Sequence, residues 1–151
     1  MLKIKIEQAS LEYTESITQF QVEMAAESEG TTLNKDVVHR GVTEGLKDNA
    51  KGIYIVARNN EGNAVASLMI TREWSDWNCV WYWWIQSVYV RPDFRRQGIY
   101  RSMYAKVKEM AKEANVSCVR LYVDKTNQHG LSTYKALGMK ESHYLLYEET
   151  I

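Results

Sequence analysis

A chain of 151 residues with 45% hydrophobic and 25% charged residues is of single-domain length and can bury a core of its own. Nineteen Lys and Arg balance nineteen Asp and Glu, which argues against a general nucleic-acid or anionic-membrane binder. The longest apolar runs fall far below the ~20 residues of a membrane span, and the start "MLKIKIEQAS" lacks the apolar core of a signal peptide, so a cytoplasmic protein is expected. Cys79 and Cys118 lie 39 residues apart without ligand spacing and read as reduced thiols, with no metal site.

In chain order, "LKIKIEQ" alternates like a strand. Ser10 is placed to cap a helix carrying Tyr13, Ile17, Phe20 and Met24 on one stripe, with Gly30 as its stop. Asn34 is placed to cap a second, with Val38, Val42 and Leu46 at intervals of four. "GIYIVARNNEGNAVASLMITREW" reads as two strands about "NNEGN", and a long aromatic strand follows from roughly Cys79 to Val90. Beyond Gly98 the period turns helical through Tyr100, Met103, Tyr104, Val107 and Ala114, predicting a helix from about Ile99 to Asn115. "SCVRLYVD" is a short strand, "NQHGLSTYKALG" a helix capped by Asn127 and closed by Gly138, and "MKESHYLLYEE" a last strand. The order β-α-α-β-β-β-α-β-α-β, without repeat or linker, predicts a single domain over 1–151 of α+β (mixed α/β) class with one parallel crossover in a mostly antiparallel sheet.

Two local features stand out. In the long strand Ile85 is odd-numbered while Val88 and Val90 are even, so the apolar phase slips around Gln86 and Ser87; a β-bulge produces this, and so does a strand buried on both faces. From Arg91 to Lys112 there are seven Lys or Arg against two Asp or Glu, whereas Met1 to Ala50 has five against nine. In "VRPDFRRQGIYR" a glycine permits close approach to a helix N-terminus, where the N–H groups of Gln97, Gly98, Ile99 and Tyr100 and the charges of Arg95, Arg96 and Arg101 suit a small anion. A solvated basic face gives the same letters.

"QSVYVRPDFRRQGIYR" at a strand-to-helix junction, followed by "RLYVDKTNQHGLSTYKALGM", resembles the GNAT superfamily of acyl-CoA-dependent N-acetyltransferases. The matching positions are Val90, Pro92, Arg95, Gly98, Asn127, Gly130, Tyr134 and Leu137-Gly138-Met139. The resemblance implies a GNAT-like central sheet with a splayed strand pair, flanked by helices on both faces, that admits acetyl-CoA as co-substrate. Its pantetheine arm would pair with the backbone of Val88 and Val90 and with Asn127. Its pyrophosphate would lie between Arg96 and Arg101, and Tyr134 would point its hydroxyl at the sulfur. Tyr100 departs from the family, which usually has Gly or Ala there; it either packs with Met103 and Tyr104 or stands beside the phosphates.

For acetyl transfer to a primary amine by direct attack in a ternary complex, the N–H of Val88 at the bulge is the candidate oxyanion donor and Tyr134 the candidate acid. Glu23, Glu27 and Glu29 are candidates to bind or deprotonate a cationic acceptor, a small molecule or peptide. Gln86, an amide, cannot be the base. His39, His129 and His143 read as surface or structural residues. Five tryptophans crowd "WSDWNCVWYWW", with Trp81 and Trp83 on one strand face, Tyr82 and Trp84 on the other, and Trp74 and Trp77 in the preceding turn. Core packing, a homodimer surface or an aromatic acceptor pocket walled by Trp74, Trp84 and Gln86, with Glu73 or Asp76 nearby, each accounts for them. A non-catalytic acyl-CoA-binding or regulatory module is the alternative function. A nucleotide phosphate loop is disfavoured because no G-x-x-x-x-G-K-[ST] is present.

Overall fold

The computed structural model describes residues 3–151, so Leu2 of the expected first strand lies outside the described residues. They form two compact units, residues 3–121 and 122–151. In the first, strands β1 (Lys5–Gln8), β2 (Ile53–Arg58), β3 (Ala64–Ser75), β4 (Val80–Val90) and β5 (Val116–Arg120) make one sheet in the order β1-β2-β3-β4-β5. Neighbours from β1 to β4 are antiparallel, and β5 returns parallel to β4 through helix α3 (Ile99–Glu113). Helices α1 (Thr14–Glu29) and α2 (Lys35–Lys47) precede β2.

Alternation along the strands divides the core between two layers. Tyr54 and Val56 of β2 point toward α1 and α2 and are buried with Tyr13, Ile17, Phe20, Val42 and Tyr89. Ile55 of the same strand points to the other face, and its cross-strand partner is Leu68. Both are fully buried, as are Met103 and Val107 of α3, which packs on that side of the sheet. Helices therefore cover both faces, as the resemblance implies.

Local chemistry set most boundaries where expected. Asn34 caps α2, its Oδ1 accepting from Asp36 N at 3.0 Å and Val37 N at 3.2 Å. Ser10 does not cap a helix: residues 11–13 form a 3-10 turn, and the Ser10 hydroxyl donates to Glu12 at 3.1 Å instead. Trp74 lies in β3 rather than in the turn, because β3 continues to Ser75 and pairs Trp74 with Trp81; the turn is 76–79. Trp83 is buried on the face opposite Tyr82 and Trp84.

The second unit holds helix α4 (Gln128–Ala136). Asn127 Oδ1 accepts from Gly130 N at 2.9 Å, and the helix closes where Met139 N bonds Tyr134 O at 3.1 Å. A strand over 139–149 was expected here. Within this unit that segment pairs with no strand, since α4 is the unit's regular element and a ladder needs a second extended partner.

Candidate active site

The phase slip is a β-bulge. Ser67 pairs with Tyr89 and Met69 with Gln86, so Ser87 and Val88 together oppose Leu68. Ser87 takes a left-handed backbone with φ 55°, a conformation that costs a residue with a side chain on the order of 1–3 kcal/mol. Its consequence is a change of face: Trp84 and Gln86 lie on the α1 side with Tyr89, while Ile85, Val88 and Val90 lie on the α3 side. On β4's other edge the ladder with β5 runs only from Trp81↔Val116 to Trp84↔Arg120. Beyond Trp84 the two strands are no longer paired, and the backbone of Ile85 to Val90 is left without that neighbour.

Val90 leads through a 3-10 turn, Pro92–Phe94, to α3. Arg96 with φ 62° and Gly98 with φ 77° both adopt left-handed backbone, which curls the chain into a concave turn before the helix. A Cβ built on Gly98 meets nothing within 4 Å, so glycine is favoured there by its backbone angle and not by crowding. The first N–H drawn back into the helix is that of Ser102, to Gly98 O at 3.1 Å, so the donors of Ile99, Tyr100 and Arg101 face outward from the first turn. Arg96, Gln97 and Arg101 are exposed around them, while the Ile99 side chain is buried and anchors the helix start. Tyr100 is half-buried and stacks on Tyr104 with centroids 6.3 Å apart.

Arg95, at the first position of the motif, has fixed partners. Its Nε donates to Val90 O at 2.8 Å, its Nη2 donates to Glu27 Oε2 at 2.8 Å, and its guanidinium lies 5.4 Å from the centre of the Tyr89 ring. The Tyr89 hydroxyl donates to Glu23 Oε2 at 2.7 Å and stands 3.4 Å from Glu27 Oε1. That bond, with one from Gln19, holds the Glu23 carboxyl below its ordinary range; burial and the same carboxylate push the Tyr89 phenol far up. Tyr89 escaped the sequence reading, although applying the slip to Trp84 and Gln86 places residue 89 on their face. An open cleft of about 940 Å³ borders this group, lined by Glu15, Gln19, Phe20, Glu23, Glu27 and Tyr89 among others.

The paired end of β4 carries a second polar group. Trp84 Nε1 donates to Glu73 Oε1 at 2.8 Å, and Arg120 Nη1 donates to Glu73 Oε2 at 3.3 Å. The Arg120 guanidinium lies 4.4 Å from the Tyr82 ring centre and 6.0 Å from that of Trp84. Trp74 packs edge-on against Trp81 at 4.9 Å. Gln86 Nε2 reaches Met69 Sδ at 3.4 Å, and Glu29 ends α1 exposed. Trp74 and Trp84 thus share the β3/β4 ribbon but lie in different contact groups. His39 meets Glu15 at 2.8 Å on the surface.

In the second unit, a Cβ on Gly130 would sit 2.7 Å from Asn127 Nδ2 and 3.1 Å from Val123 Cγ2. This is why the position three after the asparagine must be small. The Asn127 Oδ1 serves as cap, leaving its amide nitrogen as the group with donors to offer a ligand. Burial raises the Tyr134 phenol above its ordinary value, so it is protonated at neutral pH.

The model of the acetyltransferase (GNAT) family matches residues 14–139, which take in the bulge, the glycine turn and α4. The chain belongs to this family. As a GNAT protein it has a near relative in the crystal structure of a possible acetyltransferase from Clostridium difficile 630, with TM-score 0.91 and 38% identity over 98% of this chain and 97% of that one. A transcriptional regulator from Bacillus halodurans C-125 has TM-score 0.83 at 25% identity over 98% and 100% of the two chains. Thialysine N-epsilon-acetyltransferases of Bos taurus and Sus scrofa are 36% and 34% identical over 58 residues, 38% of this chain. The match spans 34%, about a third, of the length of each of those relatives. Among the described residues no helix is long and apolar enough to cross a membrane.

Proposed function

We propose that this GNAT protein transfers the acetyl group of acetyl-CoA to a primary amine by direct attack in a ternary complex. The observation that carries the reading is β4 itself: bulged at Ser87 and Val88, unpaired on one edge beyond Trp84, and leading into a helix start whose N–H groups face outward. An extended, amide-bearing chain ending in a diphosphate suits that sequence of features, with strand-like hydrogen bonds along Val88 and Val90 and phosphate oxygens on the N–H groups from Gln97 to Arg101. Arg96 and Arg101 supply countercharge, and the Asn127 amide supplies a donor to the pantetheine arm. Acetyl-CoA, when bound, supplies an activated acyl group on a thiol leaving group.

The chain's own groups meet the remaining demands. The N–H of Val88, displaced from regular pairing by the bulge, stabilises negative charge on the thioester oxygen. Tyr134 donates its proton toward the departing sulfur. Burial keeps the Tyr134 phenol protonated, and the proton it gives to the sulfur as the C–S bond breaks is replaced by the one the amine nitrogen loses once the C–N bond has formed. A lysine-like amine, with a pKa of about 10.4, arrives mostly as a cation and must first lose one proton to water before its nitrogen can attack. Ionised carboxylates on α1 suit its attraction better than its deprotonation, since Tyr89 makes Glu23 a weaker base. Trp84, Gln86, Trp74, Glu27 and Glu29 are the further acceptor-side candidates, and the units work as one acetyltransferase domain in the cytoplasm.

Thiol release from acetyl-CoA across lysine and thialysine, other amino acids, polyamines and peptides tests the reaction and finds the acceptor. Tyr134→Phe is expected to lower turnover by about 10²-fold with little change in acetyl-CoA affinity. An unchanged rate at saturating acetyl-CoA removes Tyr134 from the chemistry. Tight CoA binding with no release for any amine favours a non-catalytic acyl-CoA-binding module.

A further inference from the structure

The basic turn before α3 contains arginines with different surroundings. Arg96 and Arg101 are exposed, with their charge directed to solvent around the helix start. Arg95 instead folds back five residues to the last carbonyl of β4, lies over the Tyr89 ring and pairs with Glu27 of α1. Tyr89 is 4% exposed and wedged against Phe20 at 5.2 Å, so the surface that receives Arg95 is rigid. A guanidinium held at these points cannot swing to a phosphate without giving up a carbonyl, a carboxylate and a ring face.

We infer that Glu27 is a positioning residue for the cofactor turn: with Tyr89 it fixes Arg95, and Arg95 fixes the path from Val90 to Gly98 along which the outward N–H groups of α3 are presented to a diphosphate. This rests on the proposed use of acetyl-CoA. It assigns Arg95 to holding the turn's shape, leaves phosphate countercharge to Arg96 and Arg101, and makes α1 a physical link between the acceptor-side carboxylates and the donor cradle.

Electrostatics and positioning predict opposite signs here. Were Glu27 only a nearby negative charge, its removal would strengthen the field of Arg95 at the turn and tighten CoA binding. A positioning Glu27 makes the same removal weaken binding, because the N–H groups lose their fixed direction. The Arg95 and Glu27 side chains are 42% and 45% exposed, so the pair adds little to global stability and the effect is separable from unfolding.

The test measures CoA affinity by calorimetry, and kcat/KM with acetyl-CoA and with S-acetylpantetheine, a donor without the diphosphate, in the full chain. Glu27→Ala is expected to weaken CoA binding about fivefold, near the upper range for such a pair, and to lose about fivefold more kcat/KM with acetyl-CoA than with S-acetylpantetheine. Glu27→Gln, which keeps an acceptor for Arg95, recovers most of the loss. Arg95→Met reproduces the Glu27→Ala pattern and serves in its place if that variant does not fold. Tighter CoA binding in Glu27→Ala, or an equal loss with both donors accompanied by a raised acceptor KM, overturns the inference. Wild-type protein that binds CoA while every variant binds equally overturns the inference alone; wild-type protein that does not bind CoA overturns the proposed function and the inference with it.

Discussion

The two halves of β4 differ although they are one continuous strand. From Trp81 to Trp84 it is held on both edges, and its side chains close on one another through Glu73, Trp84 and Arg120. From Ile85 to Val90 it keeps only β3, gains an extra residue at the bulge and turns its last side chains onto exchanged faces. The first half is built to stay shut and the second to offer backbone to something else. The lesson is that a binding edge can be made inside a sheet by shortening one neighbour and adding one residue to a strand, without adding a loop.

Deleting Ser87 should break the comparison most severely. Without that extra residue Val88 alone opposes Leu68 and Tyr89 stays opposite Ser67 on the α1 face, so β4 pairs regularly with β3 and only the bulge and its displaced Val88 backbone are lost. The left-handed backbone of Ser87, worth on the order of 1–3 kcal/mol, goes with it, so thermal unfolding should show the fold retained while CoA binding is lost. CoA binding that survives in a folded deletion variant contradicts the role given to the bulge.

Gly98→Ala should act in the downstream half alone. With φ 77° and no atom within 4 Å of the new Cβ, its cost is the left-handed backbone, about 1–2 kcal/mol, measurable by denaturant titration. Gly98→Asn is expected to cost less, since asparagine tolerates that region better. The smallest effect concerns pH. Glu23 is held below its ordinary value by Tyr89, so its contribution is present above about pH 4.5 and is lost as the pH falls through the lowered folded-state value. The stability difference between wild type and Glu23→Gln, roughly 1 kcal/mol at pH 7, should shrink as the pH falls below about 4.5 and be gone once the pH is below the lowered folded-state value.

The sequence made the bulge legible because three apolar residues, Ile85, Val88 and Val90, cannot keep one phase through a regular strand. It made the helix start at Ile99 legible because period two gives way to a helical stripe just after Gly98. Asn127 and Gly130 were legible as a pair through the family resemblance, and the structure supplies the reason: the Asn127 amide leaves no room for a Cβ at 130. What it hid were groups assembled across long separations. Glu73 and Arg120 are 47 residues apart, and Arg95 and Glu27 are 68 apart, so no local period connects them. Arg95 was read toward the phosphates and Glu27 toward the acceptor, and no local period could show that the two side chains pair with each other. Ser10 was misread because a 3-10 turn intervenes before α1 and rotates the start of the helix by three residues.

Amide hydrogen exchange, with and without saturating acetyl-CoA, tests the central claim most directly, because both halves of β4 report in one experiment. The account predicts slowed exchange at Val88 and Val90 and from Gln97 to Arg101, with Val80 to Trp84 unchanged. Protection confined to the paired half, or no difference anywhere along β4 and the turn after it, would contradict it.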